Sequence, residues 1–198
     1  MKKVREPTYS FVLLTLGLII IDTILARLSV VALPASASGV PVIGVSVIFI
    51  AVAFMILFTL WFGAYGAIAA YAGTLVGSGL LSSMPPGVAV YWSVAGLLQV
   101  LIPLVAFRTF EADLALENRR DWTILILFGV LINNIVGAAW GAVTLALGGV
   151  IQPGEIGGVL FTWLLGNVIV TLVIVPIALQ RLSPKIMKSK LFVKNYWD

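Results

Sequence analysis

The sequence contains no cysteine and no histidine. Without a thiol or an imidazole, the chain cannot build a disulfide, a Ser-His-Asp triad, a haem axial histidine or a zinc site of the usual kind. It also lacks a nucleotide-binding motif. We therefore expect no catalytic chemistry, no cofactor and no metal site in this chain.

Charge is also scarce, since only 10% of the 198 residues are charged whereas 61% are hydrophobic. A soluble domain normally has about a quarter of its residues charged, and a chain of this length could bury a core with far less apolar sequence. The excess apolar residues need a non-aqueous solvent. The composition therefore predicts an integral membrane protein.

Apolar runs of about 20 residues, the length that crosses the hydrocarbon core, occur six times between turn residues and charges. These runs cover residues 10–33, 41–62, 64–81, 87–107, 122–150 and 157–182. The sequence therefore predicts an all-α fold, a polytopic membrane bundle of six transmembrane helices. We expect one transmembrane domain, residues 1–182, followed by a basic-aromatic cytoplasmic tail, residues 183–198.

The few basic residues fall on one side of the predicted bundle. Three precede the first run, three lie between the fourth and the fifth, and five lie at or beyond the end of the sixth. These residues are Lys2, Lys3, Arg5, Arg108, Arg119, Arg120, Arg181, Lys185, Lys188, Lys190 and Lys194. Because cytoplasmic loops carry an excess of Lys and Arg, we expect a multi-pass protein of the plasma membrane with both termini in the cytoplasm. Topology explains these charges, so we expect no nucleic-acid partner.

Apart from Arg181 at the end of the sixth span, Asp22 and Arg27 are the only charged residues inside a predicted span. If Ser10 lies at the cytoplasmic face, a rise of about 1.5 Å per residue places Asp22 about 18 Å and Arg27 about 25 Å into the membrane. Arg27 can snorkel to the outer interface, whereas the deeper Asp22 needs another explanation. Two interpretations stay open for Asp22: a partly paired structural charge, or a group that lines a ligand cavity or contacts a partner.

Uncharged amides also occur within the predicted spans: Gln99 in the fourth, Asn133 and Asn134 in the fifth, and Asn167 in the sixth. An unsatisfied amide in hydrocarbon costs on the order of 2–7 kcal/mol, so each needs partners. Adjacent residues point about 100° apart on a helix, so Asn133 and Asn134 can face different neighbours. The amides are therefore either clasps between helices or the lining of a polar cavity for a small ligand.

Tryptophan residues stand near the ends of several predicted spans. Trp92 begins the fourth span and Trp163 enters the sixth, both near the outer face, with Tyr91 and Trp140 in the same half of the membrane. Aromatic side chains at this depth are typical of an interfacial belt. The same four residues are also compatible with an outer-facing pocket, and both interpretations stay open.

Small residues recur at four-residue steps in two of the spans. The third has Ala69, Gly73 and Gly77, and the fifth has Gly137 and Gly141. Such patterns let helix backbones approach closely in a membrane. They predict that the third and fifth spans are central, tightly packed helices.

The sixth span resembles a known helix. Its Trp163-Leu164-Leu165-Gly166-Asn167 motif, followed by an apolar run to Pro176, resembles the last helix of the membrane-associated (MASE-type) sensor domains that precede histidine kinases and diguanylate cyclases. That family usually has Asp at the position of Asn167, and usually about eight spans. The resemblance implies a sensor that passes ligand binding to a kinase partner.

A second resemblance is to the substrate-binding (S) components of energy-coupling-factor transporters. These are also six-helix proteins of about this size with Gly-rich middle helices, and they bind a small molecule near the outer face. The Ala-xxx-Ala docking motif of their first helix is replaced here by Ala26, Ser29 and Ala32. The resemblance implies an uptake component that works with an energising ATPase module.

Both resemblances imply a membrane protein that binds a small molecule and acts through a protein partner, an ATPase module or a kinase, at its cytoplasmic face. We expect membrane lipid to surround it, and the basic-aromatic tail suits anionic headgroups or the partner. The main hypothesis is one cavity between the fourth, fifth and sixth spans. Its candidate ligand-binding residues are Asn133, Asn134, Asn167 and Trp163, with Gln99, Trp92 and Asp22 in addition. The alternative is a structural subunit of a larger membrane complex.

Overall fold

The computed structural model describes residues 9–197 of the chain. In this part of the chain, six helices and one β-hairpin follow one another. In order, the elements are α1 (Tyr9–Ala32), β1 (Pro34–Ala37), β2 (Val40–Ser46), α2 (Ala51–Phe62), α3 (Ala64–Ser82), α4 (Pro86–Thr109), α5 (Arg119–Leu147) and α6 (Pro153–Ile186). Two helices contain π-helical turns, at Leu75–Gly79 in α3 and at Leu125–Ile132 in α5. The predicted number of helices, six, is confirmed, whereas a membrane crossing by all six stays a prediction.

Five of the six helices, all except α2, are long and apolar enough to cross a membrane. Large apolar side chains also cover the outside of the bundle, where Leu13 is 69% exposed and Leu147 is 85% exposed. A soluble monomer rarely exposes apolar surface of this extent to water. The chain is therefore a multi-pass membrane protein.

The prediction of an all-α fold is wrong for the first half of the predicted second span, residues 41–62. β1 and β2 pair as an antiparallel two-stranded sheet, and α2 has only 12 residues. At about 1.5 Å per residue, α2 is about 18 Å long, well short of a hydrocarbon core of roughly 30 Å. The hairpin uses the remaining residues of that apolar run.

Local sequence explains why the chain forms a hairpin here. Pro34 ends α1, because proline has no backbone donor and disfavours helical geometry in the residue before it. Ser38 and Gly39 have φ angles of 50° and 81°, which are the positive values that a tight hairpin turn requires. Gly44, with a φ angle of 79°, lies where the strand pairing changes register. An irregularity of this kind bends a strand. The next residue, Val45, points into the protein and is only 3% exposed.

The small residues that were predicted to pack helices lie where helices meet. Ala69 is fully buried. The other four are glycines at which a Cβ would overlap a neighbouring helix: Gly73 against Asp22, Gly77 against Thr23, Gly137 against Gln99 and Gly141 against Trp163. α3 therefore packs closely on α1, and α5 packs closely on both α4 and α6.

The two ends of the described chain meet at one end of the bundle. The Tyr65 ring stacks on Phe11 of α1 at 4.6 Å and meets Trp197 edge-on at 5.6 Å. The Arg108 guanidinium, at the end of α4, donates to backbone carbonyls of the residues that follow α6. α6 itself continues to Ile186, past the predicted boundary at residue 182. We name this end the terminal end, and the opposite end, where the β-hairpin lies, the hairpin end.

Candidate functional site

A narrow cavity lies beneath the β-hairpin, and we name it the hairpin cavity. Its lining comes from the hairpin and the loop after it and from α3, α4 and α6, with Gly44, Val45, Ser46, Phe49, Thr74, Trp92, Gly96, Gln99 and Trp163. None of these side chains carries a charge. The cavity volume is about 10 Å³, which leaves room for about one water molecule. The cavity is therefore closed in this conformation, with the hairpin as its cover.

Two tryptophans form the aromatic wall of the hairpin cavity. The ring centroids of Trp92 and Trp163 are 5.4 Å apart, and both side chains are buried. Gly141 admits the Trp163 ring, since a Cβ at that position would overlap it. A buried indole N–H normally finds a hydrogen-bond acceptor, yet neither Nε1 has one within the described chain. Both N–H groups are thus available to an acceptor that enters the site.

Next to the cavity, a hydrogen-bonded network joins α4, α5 and α6. Gln99 Nε2 donates to Asn134 Oδ1 over 2.7 Å. Asn134 Nδ2 donates in turn to the Val130 carbonyl over 2.8 Å and to Thr171 Oγ1 over 3.1 Å. Asn133 Nδ2 donates to the Gln99 carbonyl over 3.2 Å. Asn134 therefore acts as a clasp between helices, and its amide has no capacity left for a ligand acceptor.

Asn167 differs from Asn134 because neither atom of its amide has a partner within the described chain, although the residue is 1% exposed. It stands one helical turn from Trp163 and one turn from Thr171, on the same face of α6. Asn133 Oδ1 is also buried without a partner. Leaving a buried donor or acceptor unsatisfied costs ~1–3 kcal/mol. The site thus concentrates unused hydrogen-bonding groups in the bundle interior.

The hairpin is held at both of its ends. Ser46 Oγ, at the end of β2, lies 2.9 Å from the Ser29 carbonyl of α1, and the Ile50 amide donates to Ser29 Oγ over 3.1 Å. At the hairpin tip, Ser38 is a side-chain hydrogen-bond partner of the Glu155 carboxylate at the start of α6. The cover of the cavity is therefore attached to α1 on one side and to α6 on the other.

Asp22 is fully buried, and both of its carboxylate oxygens lack a partner within the described chain. It packs against Gly73 on one face of α3, while the next residue, Thr74, lines the hairpin cavity from another face. Arg27 Nη1 donates to Ser82 Oγ over 2.9 Å. Arg27, the basic residue of α1, therefore pairs with Ser82 and not with Asp22. α3 lies between Asp22 and the cavity.

The four outer aromatic residues divide between two places. Trp92 and Trp163 line the hairpin cavity, whereas Tyr91 is 67% exposed and Trp140 is 42% exposed. Trp140 Nε1 donates to the Tyr91 carbonyl over 2.8 Å, and both residues line a separate apolar groove between α4 and α5. The exposed pair fits the interfacial belt, and the buried pair fits the pocket.

Three of the candidate residues, Gln99, Trp92 and Trp163, line the hairpin cavity, whereas the three asparagines do not. Asn133 and Asn134 contact Gln99, and Asn167 stands one helical turn from Trp163. Sequence reasoning did not include the contributions of the hairpin, the loop and α3: Gly44, Val45, Ser46, Phe49 and Thr74. The available signal was the pair Pro41 and Gly44 inside an otherwise apolar run. Proline and glycine together argue against a continuous helix there.

Comparison with known protein families, with curated proteins and with solved structures finds no match. The resemblances to sensor domains and to transporter components therefore stay predictions. The proposal on function therefore rests on the contacts and burial of this chain's own side chains.

Proposed function

We propose that this protein binds a small uncharged molecule in the hairpin cavity and acts through a protein partner. The observation that carries the proposal is the set of unused hydrogen-bonding groups: the indole N–H of Trp92, the indole N–H of Trp163 and the whole amide of Asn167. Hydrocarbon makes unsatisfied polar groups costly. A ligand that accepts and donates hydrogen bonds gives these groups their partners.

The chemistry of the lining defines the class of ligand. Two indole donors suit a ligand with hydrogen-bond acceptors, and the Asn167 amide suits a group that both donates and accepts. A charged ligand would be left unpaired, because no lining side chain carries a charge. The aromatic walls favour a flat molecule. The proposed ligand is therefore small, neutral, planar and able to hydrogen-bond along one edge.

Binding requires the cover to move. The cavity of about 10 Å³ is too small for any ligand larger than water. The hairpin is the element that moves in this proposal, because its turn is exposed at Ser38 and Gly39 and a Cβ at Gly39 would meet no atom within 4 Å. In the proposed movement, the hairpin turns about its attachments at Ser46 and at the tip. This movement opens the cavity from the hairpin end. The structure corresponds in this proposal to the closed form.

The partner is proposed to dock at the terminal end. A polar groove of about 680 Å³ lies there, and its lining includes Arg108, Glu111, Asp113 and Lys194. Among the described residues, the basic side chains between the end of α4 and the start of α5 and those after α6 also lie at this end. The positive-inside rule predicts that such an end is cytoplasmic. An ATPase partner would make the protein a substrate-binding component of an uptake transporter, and a kinase partner would make it a sensor.

Native mass spectrometry of the full chain tests the proposal. Protein that is purified in mild detergent is expected to carry a small neutral molecule, which denaturation releases for identification. Trp163→Phe keeps an aromatic ring and removes the indole N–H donor. Asn167→Leu removes the unpartnered side-chain amide. Both variants are expected to lose most of the bound molecule.

Trp140→Phe is the matched control, because its indole also donates a hydrogen bond but lies outside the hairpin cavity. It is expected to retain the molecule at the level of the wild type. Equal retention by Trp163→Phe and Trp140→Phe would contradict the proposed site. A wild-type protein that carries no small molecule and purifies with other subunits in fixed stoichiometry would support the structural-subunit alternative.

A further inference from the structure

Asp22 is a buried titratable group that the proposed ligand site does not use. It lies near the middle of α1, fully buried, with both carboxylate oxygens unpartnered within residues 9–197. Its Cβ abuts Gly73 so closely that α3 could not accept any larger residue there without shifting. A carboxylate in such a place is strongly disfavoured unless a cation or a proton joins it.

No charged group from the neighbouring elements reaches Asp22. The hairpin and α2 contain no ionisable residue. On α1 and α3 the other titratable residues are Tyr9, Arg27, Tyr65 and Tyr71. Arg27 donates to Ser82, Tyr71 donates to the Val90 carbonyl, and Tyr65 stacks with Phe11 near the terminal end. No charged side chain of the described residues is thus available to the carboxylate, and a proton is the partner that remains.

Two connections lead from Asp22 to the hairpin cavity. Ser29 lies seven residues further along α1, on the same helix face, and it holds the end of β2 through Ser46 and Ile50. On α3, Gly73 contacts Asp22 and the adjacent Thr74 lines the cavity. α1 therefore joins Asp22 to the attachment of the cover, and α3 joins it to the lining of the cavity.

We propose that Asp22 is a proton-binding site, and that its protonation holds the cover of the hairpin cavity closed. In the closed form the side chain is a neutral carboxylic acid between α1 and α3. When α1 moves, the acid gives its proton to water and becomes a hydrated carboxylate. The reverse movement takes up one proton.

The direction of the pH dependence follows from this exchange. The closed form binds one more proton than the open form, so a low pH favours closure and a rising pH favours opening. The population of the open form can change by up to about tenfold per pH unit. The protonation of Asp22 is independent of the proposed ligand. Its effect on the cover rests on the proposed function, because that function requires the cover to move.

Infrared spectroscopy of the full chain in lipid nanodiscs tests the proton site alone. At neutral pH the wild type is expected to show the carbonyl stretch of a protonated carboxylic acid, and Asp22→Asn is expected to lack it. Carbon-13 labelling of the aspartate side chains should shift this band in the wild type, which assigns it to an aspartate, and its loss in Asp22→Asn assigns it to Asp22. A spectrum with no aspartate acid band at neutral pH would overturn the inference.

Cysteine labelling tests the coupling, because the natural sequence has no cysteine. Val45, which is 3% exposed and lines the cavity, is replaced by Cys in the wild type and in Asp22→Asn. The rate of reaction with N-ethylmaleimide is measured across pH. The ionisation of the thiol itself cancels in the ratio of the two rates.

The ratio of the wild-type rate to the Asp22→Asn rate is expected to rise with pH, by up to about tenfold per unit. A ratio that stays constant would overturn the coupling even where the infrared band is present. Neither measurement involves a ligand. Loss of the bound molecule in the mass experiment therefore reports on the proposed function, and these two results report on Asp22.

Discussion

At the scale of single residues, the buried amides differ in what they contact. Asn134 has partners on α4 and α6 and on its own helix, so its amide stabilises the bundle. Asn167 is equally buried, but its side-chain amide has no partner within residues 9–197. Removal of a satisfied polar group orphans its neighbours, whereas removal of an unsatisfied one relieves a desolvation penalty. The two asparagines should therefore respond in opposite ways to the same substitution.

Asn134→Leu is expected to lower the free energy of unfolding by ~1–3 kcal/mol, because Gln99 and Thr171 lose their partner. Asn167→Leu, with a side chain of similar volume, is expected to leave the free energy unchanged or to raise it. Reversible unfolding in mixed micelles, followed by circular dichroism, measures both. Equal destabilisation by the two substitutions would mean that Asn167 is another clasp and not a ligand group.

The sequence predicts that these amides need an explanation but not which of them is satisfied. The cost of an amide in hydrocarbon depends on the residue type and its depth, which can be read from the sequence. Its partners depend on how two helices are rotated against each other. Gln99 meets Asn134 only because Gly137 lets the Gln99 side chain lie against α5. That contact links residues 35 positions apart.

At the scale of elements, the hairpin is the part that apolar composition does not predict. Residues 41–50 are nearly all apolar, so a count of hydrophobic residues merges them with α2. The backbone decides otherwise, since Pro41 cannot donate a hydrogen bond and Gly44 has a positive φ. The other five predicted spans contain long helices because no turn of this kind divides them.

Gly44→Ala is expected to loosen the hairpin from α3. Gly44 has a positive φ of 79°, and a Cβ there would lie 2.7 Å from the Ser78 carbonyl oxygen. Gly39→Ala is the matched control, because its φ is also positive, at 81°, but a Cβ there would have no atom within 4 Å. Both variants carry backbone strain on the order of 1–3 kcal/mol, and only Gly44→Ala adds the clash.

Labelling of a cysteine at Val45 measures the difference between these two variants. Gly44→Ala is expected to react roughly tenfold faster than Gly39→Ala, which corresponds to a free-energy difference of ~1.4 kcal/mol. Equal rates would show that the contact between Gly44 and Ser78 does not hold the cover in place.

At the scale of the whole molecule, the short α2 raises the question of how many times the chain crosses the membrane. Five crossings would place the two ends of the chain on opposite faces. The ring of Tyr65 contacts both Phe11 and Trp197, so the two ends lie together. We therefore expect α2 and the hairpin to return the chain across the bilayer between α1 and α3. Irregular backbone at that depth is tolerated where protein covers it, and Val45 and Ser46 are buried.

The orientation of the bundle is tested with single cysteines in the natural, cysteine-free background. Ser38→Cys and Gly154→Cys report on exposed positions at the hairpin end, and Ser189→Cys reports on an exposed position at the terminal end. A membrane-impermeant maleimide is expected to label the first two in intact cells and the third only after permeabilisation, because the positive-inside rule predicts that the terminal end is cytoplasmic. Labelling of Ser189→Cys alone in intact cells would invert the orientation, and the partner would then have to approach from outside the cell.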